Sequence, residues 1–384
     1  MDLKEAVRQN IGRAEQSAVD LSHRIHAHPE VGFEEYRAAQ WVGDALSEAG
    51  FAVNTGVADL PTALLATAGD GPLVVGICAE YDALPGLGHA CGHNVIAGSA
   101  VAAARALAPL ASDLGITVKV FGTPAEENGG GKVLMLDAGL FDGTHAAMMV
   151  HPATFEQAYT SVLANGDLLV DFTGKNAHAS AAPYEGVNAG DAVTLAQVAI
   201  GLLRQQLHPG DQIHGIVTNG GEAPNIIPAK AGAHYYIRAS DLESLKVLEQ
   251  RVQRCFEAAA LATGCEMTSA PTGPDYSEFR NNTALADLYE TNARQLGRRF
   301  APVGETSSAL GSTDMGNVSR AIPAIHPTLA LDCGTSVNHQ PEFAAHCAGA
   351  SADRALIDGA TAMAWTIVDL ATDPTLRARF IAGN

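Results

Sequence analysis

Cys78-Ala-Glu-Tyr-Asp82-Ala-Leu-Pro-Gly-Leu-Gly-His89-Ala-Cys91-Gly-His93-Asn94 joins two apolar runs of different character. Ahead of it, Leu73-Val-Val-Gly-Ile77 has the length and branching of a buried strand; behind it, Val95 to Leu110 is almost all Ala, Val and Leu and reads as a buried helix. A loop rich in Gly and Pro, carrying carboxylates, two histidines and a cysteine, therefore falls where a strand ends and a helix begins. Open α/β sheets bind their ligands at that edge.

Outward from this stretch the alternation continues. Residues 3 to 26 have apolar positions at helical spacing and should stop before His28-Pro29, because the residue before proline avoids the helical region. A second amphipathic helix is expected from Phe33 through Ala49, closed by Gly50. Ala63 to Ala66, Leu73 to Ala79, Ile116 to Gly122 and Ala146 to Val150 read as strands between helices, the signature of a largely parallel sheet. After about residue 164 the order changes to strand (Asp167 to Thr173), helix (Val187 to Leu207), two strands (Ile213 to Thr218, Gly232 to Ala239), helix (Leu242 to Thr263) and strand (Cys265 to Ser269). That βαββαβ order is ferredoxin-like. The expected architecture is α/β: a discontinuous domain of residues 1–164 and 275–384 with a mixed, largely parallel sheet flanked by helices, and an inserted ferredoxin-like module of residues 165–274.

Bulk properties narrow the function. A chain of 384 residues favours two domains, and 47% hydrophobic with 17% charged residues is too apolar for disorder. A formal charge of -19 argues against nucleic acid as a partner, since phosphate neutralisation needs clustered Lys and Arg. The first twenty residues are too charged for a signal peptide, and the apolar run at 95–110 is shorter than a membrane span of about 18 residues, so no membrane partner and a cytoplasmic location are expected. Six scattered cysteines read as reduced thiols, with Cys78, Cys255 and Cys265 as inert packing residues.

Four loops each follow an expected strand and carry a metal-type ligand: Cys91-Gly-His93, Thr123-Pro-Ala-Glu126-Glu127-Asn128, His151-Pro152 and Asn338-His339. A zinc-type cation accepts thiolate, imidazole and carboxylate together, and these candidates exceed what one tetrahedral site with an open position uses. Two cations sharing a ligand would absorb the surplus. In the pair Glu126-Glu127, neighbouring side chains point apart, so one carboxylate can face a cation while the other takes a proton from water and passes it to a leaving nitrogen. His26 and His28 read as capping or packing residues, His89 as a loop histidine bonded to backbone or a substrate contact, and His346 as the fallback ligand to His339.

Together, His26-Ala-His28-Pro-Glu30-Val-Gly-Phe-Glu-Glu35, Tyr81-Asp-Ala-Leu-Pro85, His89-Ala-Cys-Gly-His93, Thr123-Pro-Ala-Glu-Glu127, Gly174-Lys-Asn-Ala-His178-Ala-Ser and Asn225-Ile-Ile-Pro228 resemble the cocatalytic metallo-amidohydrolases, which include aminoacylases and carboxypeptidases. Glu80 to Asn94, Glu127-Asn-Gly-Gly-Gly-Lys132 and Gly311 to Ser319 are most similar to the Xaa-Arg dipeptidase and p-aminobenzoyl-glutamate hydrolase branch. The resemblance implies two divalent metal ions, zinc with manganese or cobalt as alternatives. Cys91 would bridge them, His93 and His151 would complete one site, and Glu127 and His339 the other. It further implies Glu126 as general base, Asp82 as the carboxylate orienting a ligand, and His178 of the inserted lid as the donor to the tetrahedral oxyanion. Asn225 and Arg238 fall where that family's lid binds a substrate carboxylate, and the family implies a homodimer through the lid. Asn94 and Ser312-Thr-Asp314 depart from the auxin-conjugate branch, whose substrate habits are not carried over.

The activity expected is hydrolysis of an amide bond in an N-acyl amino acid or dipeptide-like small molecule with a free carboxylate. Two other classes compete: a thiol hydrolase with Cys91 as nucleophile and His93 or His89 as base, and a non-catalytic ligand-binding homologue.

Overall fold

The computed structural model describes residues 2–300 and 311–383 and divides them into two units, each described by itself. The strands, in chain order, are β1 (Ala52–Thr55), β2 (Leu64–Ala68), β3 (Leu73–Glu80), β4 (Ile116–Thr123), β5 (Ala146–Met148), β6 (His151–Ala153), β7 (Ala164–Thr173), β8 (Gln212–Asn219), β9 (Lys230–Ala239), β10 (Glu266–Pro271), β11 (Ala324–Ile325) and β12 (Thr328–Ala330).

The first unit, residues 2–161, 279–300 and 313–383, holds a six-stranded sheet in the order β1-β2-β4-β3-β5-β11. β3 lies at its middle, parallel to β4 and β5, and β11 is parallel to β5; β1 and β2 are antiparallel. Its run of apolar residues is buried on both faces, as parallel strands under helices require. The loop after β3 leads into helix His93–Leu107, buried at nearly every position. Small residues let neighbours come close: a Cβ at Gly98 would stand 2.4 Å from Leu356 of helix Ala350–Thr372. The helical run His93–Leu114 is longer than the sequence reading of 95–110 allowed, long and apolar enough for a bilayer, yet 78% of its apolar window is buried inside the unit as core.

The second unit, residues 162–278 with 311–312, is a four-stranded antiparallel sheet ordered β10-β7-β9-β8. In the unit's own strand numbering this is 4-1-3-2, with helices Ala189–Leu203 and Leu242–Thr263 packed against it, so the expected ferredoxin-like module is present. The unit is wider than residues 165–274 because Asn165 and Tyr276 exchange backbone hydrogen bonds of 2.9 Å and Leu163 donates to the Gly311 carbonyl at 3.1 Å. Residues 301–310 of the expected domain segment 275–384 lie outside the described residues.

Some element boundaries differ from expectation for local reasons. The second helix runs Tyr36–Glu48 instead of starting at Phe33, which has φ 63°. Its cap is Glu30, whose Oε2 accepts the N–H groups of Arg37 and Ala38 at 3.0 Å each. The second unit's first helix starts at Ala189, after Asn188 takes the Gly190 N–H, and tightens into a 3-10 turn over Arg204–Gln206. β1, β6, β11 and β12 were not foreseen; at two to four residues they carry no readable period.

Candidate metal centre

All five candidate ligands and Glu126 belong to the first unit: His151 at the start of β6, His93 at the start of its helix, and the others in loops that follow strands. Cys91-Gly92-His93 turns from the β3 loop into the helix. Gly92 sits at φ 77°, and a Cβ there would stand 2.4 Å from Pro152, so only glycine lets this turn lie against the His151-Pro152 segment. β6 and β12 run in parallel with His151 opposite Thr328, which lays the His151-Pro152 and His326-Pro327 segments side by side, their imidazole rings 5.4 Å apart. His339 also has positive φ, 69°, and its N–H donates to the Ala90 carbonyl at 2.8 Å, tying it beside Cys91. Such backbone strain in a non-glycine residue collects at functional sites.

The ligating atoms fall into two groups that share one member: Cys91 with His93 and His151, and Cys91 with Glu127 and His339, each within 4.8 Å of one another. The Cys91 Sγ stands 3.6 Å from both His151 Nε2 and His339 Nε2. Glu127 Oε2 lies 3.6 Å from His339 Nε2, and Glu127 Oε1 lies 3.7 Å from His93 Nε2. A third group, Glu80 with His93 and Glu126, meets the first at His93: Glu126 Oε2 reaches to 3.8 Å of His93 Nε2, and Glu80 Oε2 to 3.4 Å. His346 is in none of these groups among the described residues.

Hydrogen bonds fix which nitrogens are available. His93 Nδ1 pairs with Asp82 Oδ1 at 2.8 Å, and His151 Nδ1 donates to the Pro152 carbonyl at 2.8 Å, so in both rings the Nε2 lone pair faces the cluster. His93 Nε2 and Glu127 Oε1 are buried with no hydrogen-bond partner among the described residues. Orphaned acceptors facing a thiol and several carboxylates are what a cation would satisfy, and thiolate, imidazole and carboxylate together suit zinc-type ions. The residues present fit a pair of divalent cations.

Burial, followed by the neighbouring His326, pushes the His151 imidazole down to about 3, leaving it in the neutral form that binds metals. Burial alone would raise the Asp82 carboxyl; the His93 ring it pairs with and the Glu127 N–H at 3.0 Å together hold it below the usual range. Burial raises the Cys91 thiol and, with Glu80 and Glu127, the Glu126 carboxyl.

The remaining histidines of the motifs serve elsewhere. His26 Nε2 bonds the Ala344 carbonyl at 2.7 Å and His28 Nδ1 bonds the Arg24 carbonyl at 2.9 Å; His89, in none of the ligand groups among the described residues, is buried with its ring 6.2 Å from that of His26 and without the expected backbone hydrogen bond to its ring nitrogens.

His178, Asn225 and Arg238 belong to the second unit. His178 pairs as an isolated bridge with Ile226, and the Ala179 N–H donates to the Asn225 carbonyl at 2.9 Å, so His178 and Asn225 are neighbours. His178 Nδ1 accepts from the N–H groups of Ser180 and Ala181, which places the ring proton on Nε2. Arg238 donates to Ser312 Oγ at 2.6 Å. It lies near the far end of β9 from the Asn225 loop, about 26 Å along the strand at about 3.3 Å per residue.

Residues 165–263 match the peptidase dimerisation domain of the M20 peptidases. Over 97% of this chain and 90% of its counterpart, the sequence is 39% identical to the Xaa-Arg dipeptidase of Mus musculus. The chain belongs to the M20 peptidase family. Within that family it is also 36% identical to one of the polypeptides of p-aminobenzoyl-glutamate hydrolase of Escherichia coli, over 65% of this chain and 56% of that one. Among solved structures, a dinuclear metal-binding M20 peptidase of Bacillus subtilis superposes with a TM-score of 0.70, covering 94% of this chain and 99% of the other at 20% identity, a likeness of fold.

Sequence reasoning quoted Glu35, Lys132 and Asp314 within motifs but gave none of them a role; each is fully buried. Lys132 Nζ donates to Glu80 Oε1 at 2.6 Å and to Asp314 Oδ1 at 2.7 Å. A lone lysine closing a glycine run was the available signal.

Proposed function

We propose that this M20 peptidase hydrolyses the amide bond of an N-acyl amino acid or dipeptide-like substrate with a free carboxylate, using Glu126 as general base. The observation that carries the reading is the pair of ligand groups hinged on Cys91, with Glu126 beside His93 at their edge and a member of neither. Cys91, His93 and His151 would hold one divalent cation, and Cys91, Glu127 and His339 the other, zinc being the favoured ion for this donor set. Such a pair supplies Lewis acidity toward a carbonyl oxygen and toward the water that attacks it.

The chain's own residues do the rest. Glu126 takes the proton from the attacking water and returns it to the leaving nitrogen. Asp82 holds the His93 ring in the orientation and tautomer that a ligand needs. His178, with its proton on Nε2, donates to the oxyanion, and Asn225 and Arg238 hold the substrate carboxylate through amide and guanidinium donors. Because Arg238 and the His178–Asn225 pair lie toward opposite ends of one sheet, a substrate gripped by all three takes them from two copies of the chain. A homodimer through the lid accounts for this, and the matched dimerisation domain supports it. The Xaa-Arg dipeptidase relatives favour a dipeptide with a basic C-terminal residue as the first substrate to try. A cytoplasmic location, supported by six free cysteines, goes with the reading.

The test is a hydrolysis screen of dipeptides and N-acyl amino acids, with metal content measured on the same sample and repeated after chelation and after alkylation. Turnover that requires metal, with Cys91 shielded from alkylation while metal is bound, is the expected result. Full turnover in metal-stripped protein that alkylation of Cys91 abolishes would replace this reading with a thiol hydrolase.

A further inference from the structure

The loop bearing Glu126 and Glu127 lies between the end of β4 and helix Gly131–Asp137 and has no strand or helix of its own. Its backbone is held instead by side chains from elsewhere. Three carboxylates accept N–H groups of the loop and of the first helical turn that follows it: Glu35 Oε1 from Ala125 at 2.8 Å, Asp82 Oδ2 from Glu127 at 3.0 Å, and Asp314 Oδ2 from Lys132 at 2.9 Å. Glu35 precedes the second helix, Asp82 follows β3, and Asp314 precedes helix Met315–Ala321, so three distant segments converge on one turn.

Asp82 already has the task of orienting His93. Glu35 and Asp314 belong to none of the ligand groups among the described residues, and the mechanism above leaves them unused. We propose that Glu35 and Asp314 are positioning residues, clamping the two ends of the turn 125–132 so that Glu127 faces the cations and Glu126 the reacting water. The proposal rests on the reading of Glu126 as general base.

The packing around the turn says the same. Ala125 is in the left-handed region at φ 54°, a conformation that a non-glycine residue keeps only when its surroundings impose it. Its carbonyl accepts the N–H groups of both Gly129 and Gly130 at 2.9 Å. The segment Gly32-Phe33 presses on the turn from outside: a Cβ on Gly32 would stand 2.8 Å from the Ala125 Cβ, and one on Gly129 would stand 2.4 Å from the Phe33 ring. At the far end Lys132 Nζ bridges Asp314 and Glu80, giving Asp314 the ammonium as well as the N–H. The segment Glu30 to Glu35 supplies no member of the ligand groups among the described residues; Glu30 caps the second helix, and Gly32, Phe33 and Glu35 buttress this turn.

Three variants of the full-length, metal-loaded chain test the clamp. Glu35→Leu keeps the bulk and removes the acceptor, Glu35→Gln keeps an oxygen that can accept the Ala125 N–H, and Gly32→Ala pushes on the turn without touching any charge. Amide exchange is followed by mass spectrometry on peptides covering 125–132 and on the β3 and β4 strands, alongside kcat, KM and metal content. In Glu35→Leu the turn is expected to exchange at least about 10-fold faster with the strands unchanged. In the same variant kcat falls about 100-fold, as a displacement of about 1 Å gives, while KM holds within about 2-fold. Gly32→Ala follows in direction, and Glu35→Gln loses far less than Glu35→Leu. Unchanged exchange at 125–132 in Glu35→Leu, faster exchange there with kcat intact, or equal losses in Glu35→Gln and Glu35→Leu would each overturn the proposal. Where Glu35→Leu does not fold, Gly32→Ala and Asp314→Asn carry the same two readouts. The exchange arm uses no substrate and so decides the clamp even if the hydrolase reading fails.

Discussion

Glu126 and Glu127 are adjacent in sequence and have separate tasks in the proposed function, and the separation is a matter of which partners each can reach. Glu127 lies against His93 and His339; Glu126 lies beside His93 and Glu80, outside both groups hinged on Cys91. Glu126→Gln is therefore expected to lower kcat by about 100-fold to 10,000-fold with metal content unchanged, measured by steady-state kinetics and elemental analysis. Asp82→Asn removes the charge behind His93 and should weaken metal binding about 10-fold to 100-fold in a chelator competition. Glu35 gives a pH signature. Burial first, then Asp82, raises its carboxyl from 4.5 to about 7 in the folded chain, so across that interval the folded state binds more protons than the unfolded state. Stability then falls as pH rises through this window, by at most about 1.4 kcal/mol per pH unit, with the contribution fully present below the lower value. Urea unfolding of wild type and Glu35→Gln should show the variant gaining relative stability between pH 4.5 and 7, and parallel curves would contradict the assignment. At this scale the sequence was informative where ligand-type residues sit in glycine-rich loops. It gave no role to Glu35, which closes a quoted motif but reads as an ordinary helix-start glutamate. In the structure it occupies the N-cap position without capping, because Glu30 caps that helix and frees Glu35 to turn inward.

Among the elements, the strand–loop–helix from β3 into His93–Leu107 was readable because an unbroken apolar strand and an Ala-rich helix leave few alternatives to a buried parallel layer. The lid was readable from the alternation of periods along 164–271. What local pattern could not supply was strand pairing between distant short segments, such as His151 with Thr328, whose two-stranded ladder depends on the fold as a whole. The lid also shows apolar side chains with no cover inside its own unit. On helix Ala189–Leu203, Val198 is 54% exposed and Leu202 70%, and on the edge strand β8 Ile216 is 65% exposed. An exposed apolar edge strand is a pairing surface. Val198→Asp with Ile216→Lys is expected to shift the chain from dimer to monomer in sedimentation velocity while each unit stays folded by circular dichroism.

For the whole molecule, the proposed sharing of the substrate between two copies makes a sharper prediction than dimerisation alone. Chains carrying Glu126→Gln and chains carrying His178→Ala should each be nearly inactive. Unfolded together and refolded at equal concentration, they should recover about a quarter of wild-type activity, because half of the dimers are mixed and each mixed dimer keeps one intact site of two. No recovery would place His178 in the site of its own chain. The net charge of -19 belongs to this scale too, since it bears on solubility and steering and not on the fold.

The central claim is that side chains far apart in sequence converge on two cations beside Glu126. The most direct measurement is metal content by mass spectrometry on the wild-type chain and on Cys91→Ala, with amide hydrolysis followed on the same samples. The account predicts two divalent ions per wild-type chain, loss of both or weakened retention of both when the shared thiolate is removed, and hydrolysis that falls with them. Metal binding in Cys91→Ala equal to wild type, or undiminished hydrolysis by metal-free wild type, would contradict it.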